Sequence, residues 1–261
     1  IKQLGQYEYK ILYYGPQTDP EFLTSINDLR KTVTKFNPVP VPVEFIQQET
    51  EANKIFFVQD SAPQVQFSML TKGPDRFDRE LVPVIRMYNE YFGEGKTAVV
   101  FQEMREARGL AYSVGARYSL PSEPGLGYYF SANITTQNDK MNDAIKVFGE
   151  IIDNMPESET AFELAKDGLI NNLRTRRILR ADVLWHYLND LKYGYKEDSR
   201  IGLIEKIEKL TLTDVGAFQQ KYVKAKPYTF YLLGDEKDLD FSYLEKKGRI
   251  QKLTLEELFG Y

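Results

Sequence analysis

Arg105 and Tyr112, seven residues apart in the stretch MREARGLAYSVGA, are both hydrogen-bond donors that a site could use, set on either side of a turn. A charged, helix-like end carries the arginine, Gly109 interrupts it, and an alternating segment opens at the tyrosine. By type alone a second reading is equally open. In it Arg105 pairs with a carboxylate such as Glu103 or Glu106, and Tyr112 packs as a half-buried aromatic in a sheet.

Other chemistry is bounded by what the chain lacks. With no cysteine it has no disulfide, no thiolate nucleophile and no thiolate metal ligand. It has a single histidine, His186, whereas zinc motifs of the H-x-x-E-H or H-x-x-H type need two imidazoles. No self-contained metal site is therefore expected. In DVLWHYLNDLKYGY the residues Val183, Leu184, Tyr187, Leu188 and Leu191 mark a helical face, and His186 lies off its centre, as a structural or surface histidine would. LRTRRILR gathers Arg174, Arg176, Arg177 and Arg180, which reads as a solvated helix face with ion pairs rather than an anion site. EGKT and DGLINN lack phosphate-loop spacing.

The elements that must position Arg105 and Tyr112 follow from periodicity. NKIFFVQD and QVQFSMLTKG are strand-like, the second with Val65, Phe67 and Met69 on one face. DRFDRELVPVIRMYNEYFG predicts a helix with an internal Pro83, and TAVVFQEMREAR a second one ended by Gly109. LAYSVGARYSL and GYYFSANITTQ are strands joined by the hairpin loop PSEPGLG. Met141, Ala144, Ile145, Phe148, Ile151, Ile152 and Met155 keep the spacing of an amphipathic helix. Thr160 with Glu163 reads as a capping box for the next helix. TLTDVGAFQQKYV is a further helix and PYTFYLLGD a last strand. This order predicts an α+β fold, a mainly antiparallel sheet with helices packed on one face.

Upstream, YEYKILYYGP reads as a strand and DPEFLTSINDLRKTVTKF as a helix. NPVPVPVEF, with Pro38, Pro40 and Pro42, is a stiff extended linker. The strand-helix pattern near the start echoes the one near the end, YTFYLLGDEKDLDFSYLEKKG. The expected organisation is thus 1–36 as the tail of a preceding homologous domain, 37–52 as linker and 53–261 as an α+β domain. The sequence starts without methionine, and a segment is expected to precede Ile1. A tyrosine-rich strand over residues 7–14 without its ladder partners would be expected to pair with another copy of the chain.

With 38 acidic and 34 basic residues the net charge is −4, so no global field favours nucleic acid. No apolar run reaches the roughly 18–20 residues of a membrane span, and the start has no signal-peptide pattern. The compartment is left open between periplasm and cytoplasm.

Arg105-Glu106-Ala107-Arg108-Gly109-Leu110-Ala111-Tyr112, within FGEGKTAVVFQEMREARGLAYSVGA, resembles the insulinase/pitrilysin family of zinc peptidases, which includes the mitochondrial processing peptidases. NKIFFVQDSAPQVQFSM, ETAFELAKDGL and LTLTDVGAFQQKYV with YTFYLLGD support the resemblance in the right order, over about residues 53–240. Paired homologous domains, closing like a clamshell around a peptide or unfolded polypeptide, are what the resemblance implies. It also implies that zinc, held by an inverted H-x-x-E-H motif absent here, lies in a complementary half. This chain then resembles the C-terminal non-zinc half, whose Arg105 and Tyr112 would bind the substrate carbonyl and stabilise the oxyanion. The chain would hold no cofactor itself and be inactive alone. The alternative is a non-catalytic assembly or protein-binding subunit of the same fold.

Overall fold

The computed structural model describes residues 4–29, 35–43 and 46–260. The chain forms two compact units, one of Ile1–Ile46 with Arg177–Asp198 and the other of Gln47–Arg176 with Ser199–Tyr261.

In the smaller unit a helix, α1 (Asp19–Leu29), follows an irregular segment in which Tyr13 stacks on Phe22 at 4.1 Å. Residues 8–14, expected as a strand without its ladder partners, make no ladder among the described residues. Only a bridge from Tyr7 to Asn37 pairs this segment among the described residues. Residues 38–43 carry no regular structure, in keeping with alternating proline, and Val39, Val41 and Val43 are exposed.

The larger unit is built on six strands: β1 (Lys54–Gln59), β2 (Gln64–Thr71), β3 (Ser113–Ser119), β4 (Tyr129–Gln137), β5 (Thr229–Gly234) and β6 (Arg249–Leu253). They lie in the order β3-β4-β2-β5-β1-β6. Period-two alternation sends Ile55, Phe57, Val65, Phe67, Met69, Phe130, Ala132, Ile134, Phe230 and Leu232 to a buried face. The opposite face is mixed; there Ser68 Oγ donates to Asn133 Oδ1 at 2.7 Å, and Phe56 stacks on the exposed Tyr231.

The sheet is mainly antiparallel, as expected, but not purely so. β2 to β5 and both pairings of β4 are antiparallel, while β1 runs parallel to β5 and β6. A parallel neighbour needs a crossover, and the chain from β5 to β6 supplies one. β6 itself, RIQKL, follows what was expected to be the last strand. It has few apolar residues because it is an edge strand, and charge suits an edge.

In chain order the helices are α2 (Val82–Tyr88), α3 (Val99–Phe101), α4 (Met141–Asp153), α5 (Glu159–Thr175), α6 (Asp182–Lys192, in the smaller unit), α7 (Leu203–Glu208), α8 (Leu212–Tyr222), α9 (Phe241–Glu245) and α10 (Leu255–Phe259). Pro83 sits in the first turn of α2, not in a helix interior, since a short 3-10 turn capped by Asp78 precedes it. Ser158, not Thr160, caps α5, accepting from Ala161 N at 3.3 Å. α5 stops at Thr175, so Arg176, Arg177 and Arg180 lie in the irregular connection beyond it instead of on a helix face; Arg174 pairs with Glu208 at 2.9 Å. α4 buries the stripe its spacing predicts.

Two π-helical turns extend the short helices, Asn89–Gly93 after α2 and Gln102–Ala107 after α3. The first closes against the outer edge of β3. Asn89 Nδ2 donates to Tyr118 O at 3.0 Å, and Tyr118 N donates to Asn89 Oδ1 at 2.8 Å. The Asn89 amide thereby takes the place of a neighbouring strand. Gly93 touches the same strand so closely that a Cβ there would lie 1.8 Å from Ala116 O.

Candidate functional site

The second π-helical turn carries Arg105, and the chain leaves it at Gly109, whose φ of +58° suits glycine. Gly109 N donates to Arg105 O at 3.1 Å and Leu110 N to Met104 O at 2.8 Å, a wide version of the usual glycine-ended helix terminus. Lys140 Nζ donates to Gly109 O at 3.3 Å, bringing a cation to the exposed carbonyls. Beyond the turn the chain joins the sheet at once, with Tyr112 N donating to Thr135 O at 2.8 Å.

Tyr112 has the parity of Val114, Ala116 and Tyr118, which point to the core side of β3, yet it is 68% exposed. It stands just before the strand proper, where the core ends and the helix terminus begins. Arg105 is there to meet it, with the guanidinium carbon 5.6 Å from the Tyr112 ring centroid and 5.2 Å from that of Phe101. A guanidinium between two aromatic faces gains cation–π attraction and loses freedom. Phe101 is the positioning partner that sequence reasoning did not name. Its signal was present, one helical turn before Arg105, but helical spacing does not distinguish a ring beneath a guanidinium from an ordinary half-buried aromatic.

The carboxylates nearby do not engage Arg105 closely. Glu103 is taken by Arg108, and Glu106 approaches Arg105 only to 4.0 Å, with both side chains about half exposed. Among the described residues neither the Arg105 guanidinium nor the Tyr112 hydroxyl makes a hydrogen bond within the chain. Two donors thus lie together on one surface, held by Phe101 from one side and by the sheet from the other. Such an arrangement can receive an oxygen that carries or develops negative charge.

His186 is on α6, in the smaller unit. It is half-buried, with Nε2 3.2 Å from Asp190 Oδ2 and 3.2 Å from Asp198 Oδ1. Asp190 is one helical turn further on and Asp198 returns from the loop after α6. Sequence analysis named neither acid. The i, i+4 spacing of His186 and Asp190 was the available signal; the return of Asp198 was not legible.

A family model described as the peptidase M16 inactive domain matches residues 10–169. Among solved structures the chain is similar to the peptidase M16 inactive domain from Pseudomonas fluorescens, at 19% identity and a TM-score of 0.59, covering 76% of this chain and 47% of that one. It is also similar to the periplasmic protease PqqL from Escherichia coli, at 14% identity and a TM-score of 0.63, over 85% of this chain and 25% of that one. A further likeness is to a mutant of the ferredoxin protease FusC in complex with Arabidopsis ferredoxin, at 12% identity and a TM-score of 0.56, over 77% of this chain and 22% of that one. At these identities the likeness is one of fold. The chain spans about half the length of the Pseudomonas structure and about a quarter or less of the other two. No curated protein matches the sequence.

Proposed function

The chain belongs to the peptidase M16 family through the domain described as inactive, and on that premise we propose that it is the C-terminal, substrate-chamber half of a zinc-dependent metalloendopeptidase. Residues 1–36 are then the end of a preceding domain of the same kind. The hydrolytic zinc lies on another segment in this reading, because one histidine cannot supply the family's inverted motif. Arg105 and Tyr112 hold the carbonyl of a bound peptide and stabilise the negative charge that builds on its oxygen. Neither donor has to lose a proton to do so at neutral pH. The observation that carries the reading is the pair itself, adjacent, exposed and unspent on hydrogen bonds within the chain. A polypeptide substrate is supported by the neighbour described as a ferredoxin protease bound to ferredoxin.

The test is to assemble the chain with its zinc-bearing half and measure peptide turnover with Arg105→Ala and Tyr112→Phe. Loss of one oxyanion donor typically costs about 10²–10³ in kcat, whereas exposed substitutions leave stability within about 0.5 kcal/mol. Turnover unchanged in both variants would leave the assembly-subunit reading, in which the fold is kept for protein contacts alone.

A further inference from the structure

We propose that His186, Asp190 and Asp198 form a binding site for a divalent transition-metal ion of the zinc class, carried by the smaller unit and independent of Arg105 and Tyr112. One nitrogen and two carboxylate oxygens from these residues all lie within 4.8 Å of one another. A tetrahedral zinc ion, with bonds of about 2.0–2.2 Å to nitrogen and oxygen, sets its ligand atoms roughly 3.3–3.5 Å apart. The two distances from His186 Nε2, both 3.2 Å, already match that edge. The two carboxylates would have to draw together by at most about 1.5 Å to complete the triangle.

The imidazole is what separates this cluster from an ordinary group of surface acids. Nε2 carries at most one hydrogen, so it cannot donate fully to two carboxylates at equal distance. A cation accepts a lone pair from all three atoms at once. The donor set, one borderline nitrogen with two hard oxygens, suits Zn²⁺, Co²⁺ or Mn²⁺ and disfavours Mg²⁺, which prefers oxygen ligands alone. The three residues line a cavity of about 270 Å³ together with Tyr187, Leu191, Tyr195, Lys196 and Glu197.

The backbone holds the ligands in register. His186 and Asp190 share a helix face one turn apart. Gly194, at φ +74°, reverses the chain after α6, and Tyr195 N donates to Asp190 O at 2.9 Å, starting the return that brings Asp198 alongside. An ion here would clasp that loop to the helix. It is not a hydrolytic site of the family's type, which needs a second imidazole.

The chain's single histidine makes the test clean, because its ring resonances need no assignment. Metal-free chain is titrated with ZnCl₂ while calorimetry follows stoichiometry and nitrogen-15 NMR follows the imidazole. The expected result is saturable binding of one equivalent, with the Nε2 resonance shifting to a metal-bound value and the proton fixed on Nδ1, and no such shift with MgCl₂. His186→Ala should weaken binding by more than the roughly 10–100-fold that even outer-shell changes cost. Zinc that binds with the histidine resonances unmoved, or equally well to His186→Ala, is a surface ion and overturns the proposal, as does the absence of saturable binding. Should His186→Ala fail to fold, Asp198→Asn replaces it on the loop, and unchanged affinity in that variant overturns the proposal equally.

Discussion

Asn89→Ala removes one side chain and strands two backbone groups. In the native chain the Asn89 amide satisfies both the N–H and the C=O of Tyr118 on the side of β3 that β4 does not use, and both residues are buried, 6% and 5% exposed. A buried polar group left without its partner costs about 1–3 kcal/mol. Two such groups give about 2–6 kcal/mol, a large part of a domain's net stability of about 5–15 kcal/mol. Urea unfolding followed by far-UV circular dichroism reads this directly. Trp185 fluorescence does not, since the single tryptophan belongs to the other unit. Hydrogen exchange adds a local measure, because the Tyr118 amide should pass from protected to fast-exchanging while its neighbours paired to β4 change less. A loss below about 1 kcal/mol with Tyr118 still protected would refute the reasoning, since the amide would not then be standing in for a strand.

The two glycines at the ends of the π-helical turns should respond differently to alanine. Gly93→Ala meets Ala116 O at 1.8 Å with only backbone to yield, and should leave little soluble folded protein, whereas Gly109→Ala meets no atom within 4 Å and should cost only the roughly 1–2 kcal/mol of a left-handed non-glycine residue, measured by urea unfolding. Glu90 has its carboxyl pushed above the usual range by burial and, behind that, by the Glu94 charge, so the folded state holds this proton to higher pH than the unfolded chain. Ionisation then opposes folding as pH rises above about 4.5, and Glu90→Gln should melt higher than the native protein at pH 7, with the difference vanishing near pH 4. Asp214 has the opposite sign: hydrogen bonds from the Thr211 side chain and backbone hold its carboxyl below the usual 3.8. Its contribution is present above that value and lost as pH falls toward the folded one, so Thr211→Ala should cost about 1 kcal/mol at pH 7 and less in acid, read from thermal melts across pH.

Much of the larger unit was legible because burial imposes a period on residue type. β2 and α4 each present a clean apolar face to one core, and the hairpin of β3 and β4 declares itself through alternation on both sides of PSEPGLG. The features that sequence reasoning misread share a cause, which is that partners distant in the chain decide them. β6 has the composition of a loop and becomes a strand because β1 offers it an edge. The π-helical turns span only Asn89–Gly93 and Gln102–Ala107, too few residues for periodicity to announce them. At the candidate site, Arg105 and Tyr112 were visible as types and spacing, whereas Phe101 and the engagement of Glu103 by Arg108 depend on side-chain directions. Asp198 meets His186 only because Gly194 turns the chain back.

Arg105, its ring support Phe101 and its companion Tyr112 all fall within one short run of chain, folded on itself at Gly109 and tied to β4 by the bond from Tyr112 N to Thr135 O and by Thr136 Oγ1 donating to Leu110 O. Three groups gathered from distant segments would each drift as the segments between them changed. These cannot drift apart without breaking the turn that joins them, so insertions and deletions elsewhere pass the site by. The run behaves as a heritable cassette: a recombination point outside it leaves the pair whole, and a graft of Phe101 to Tyr112 onto another helix-to-strand junction would carry the geometry along.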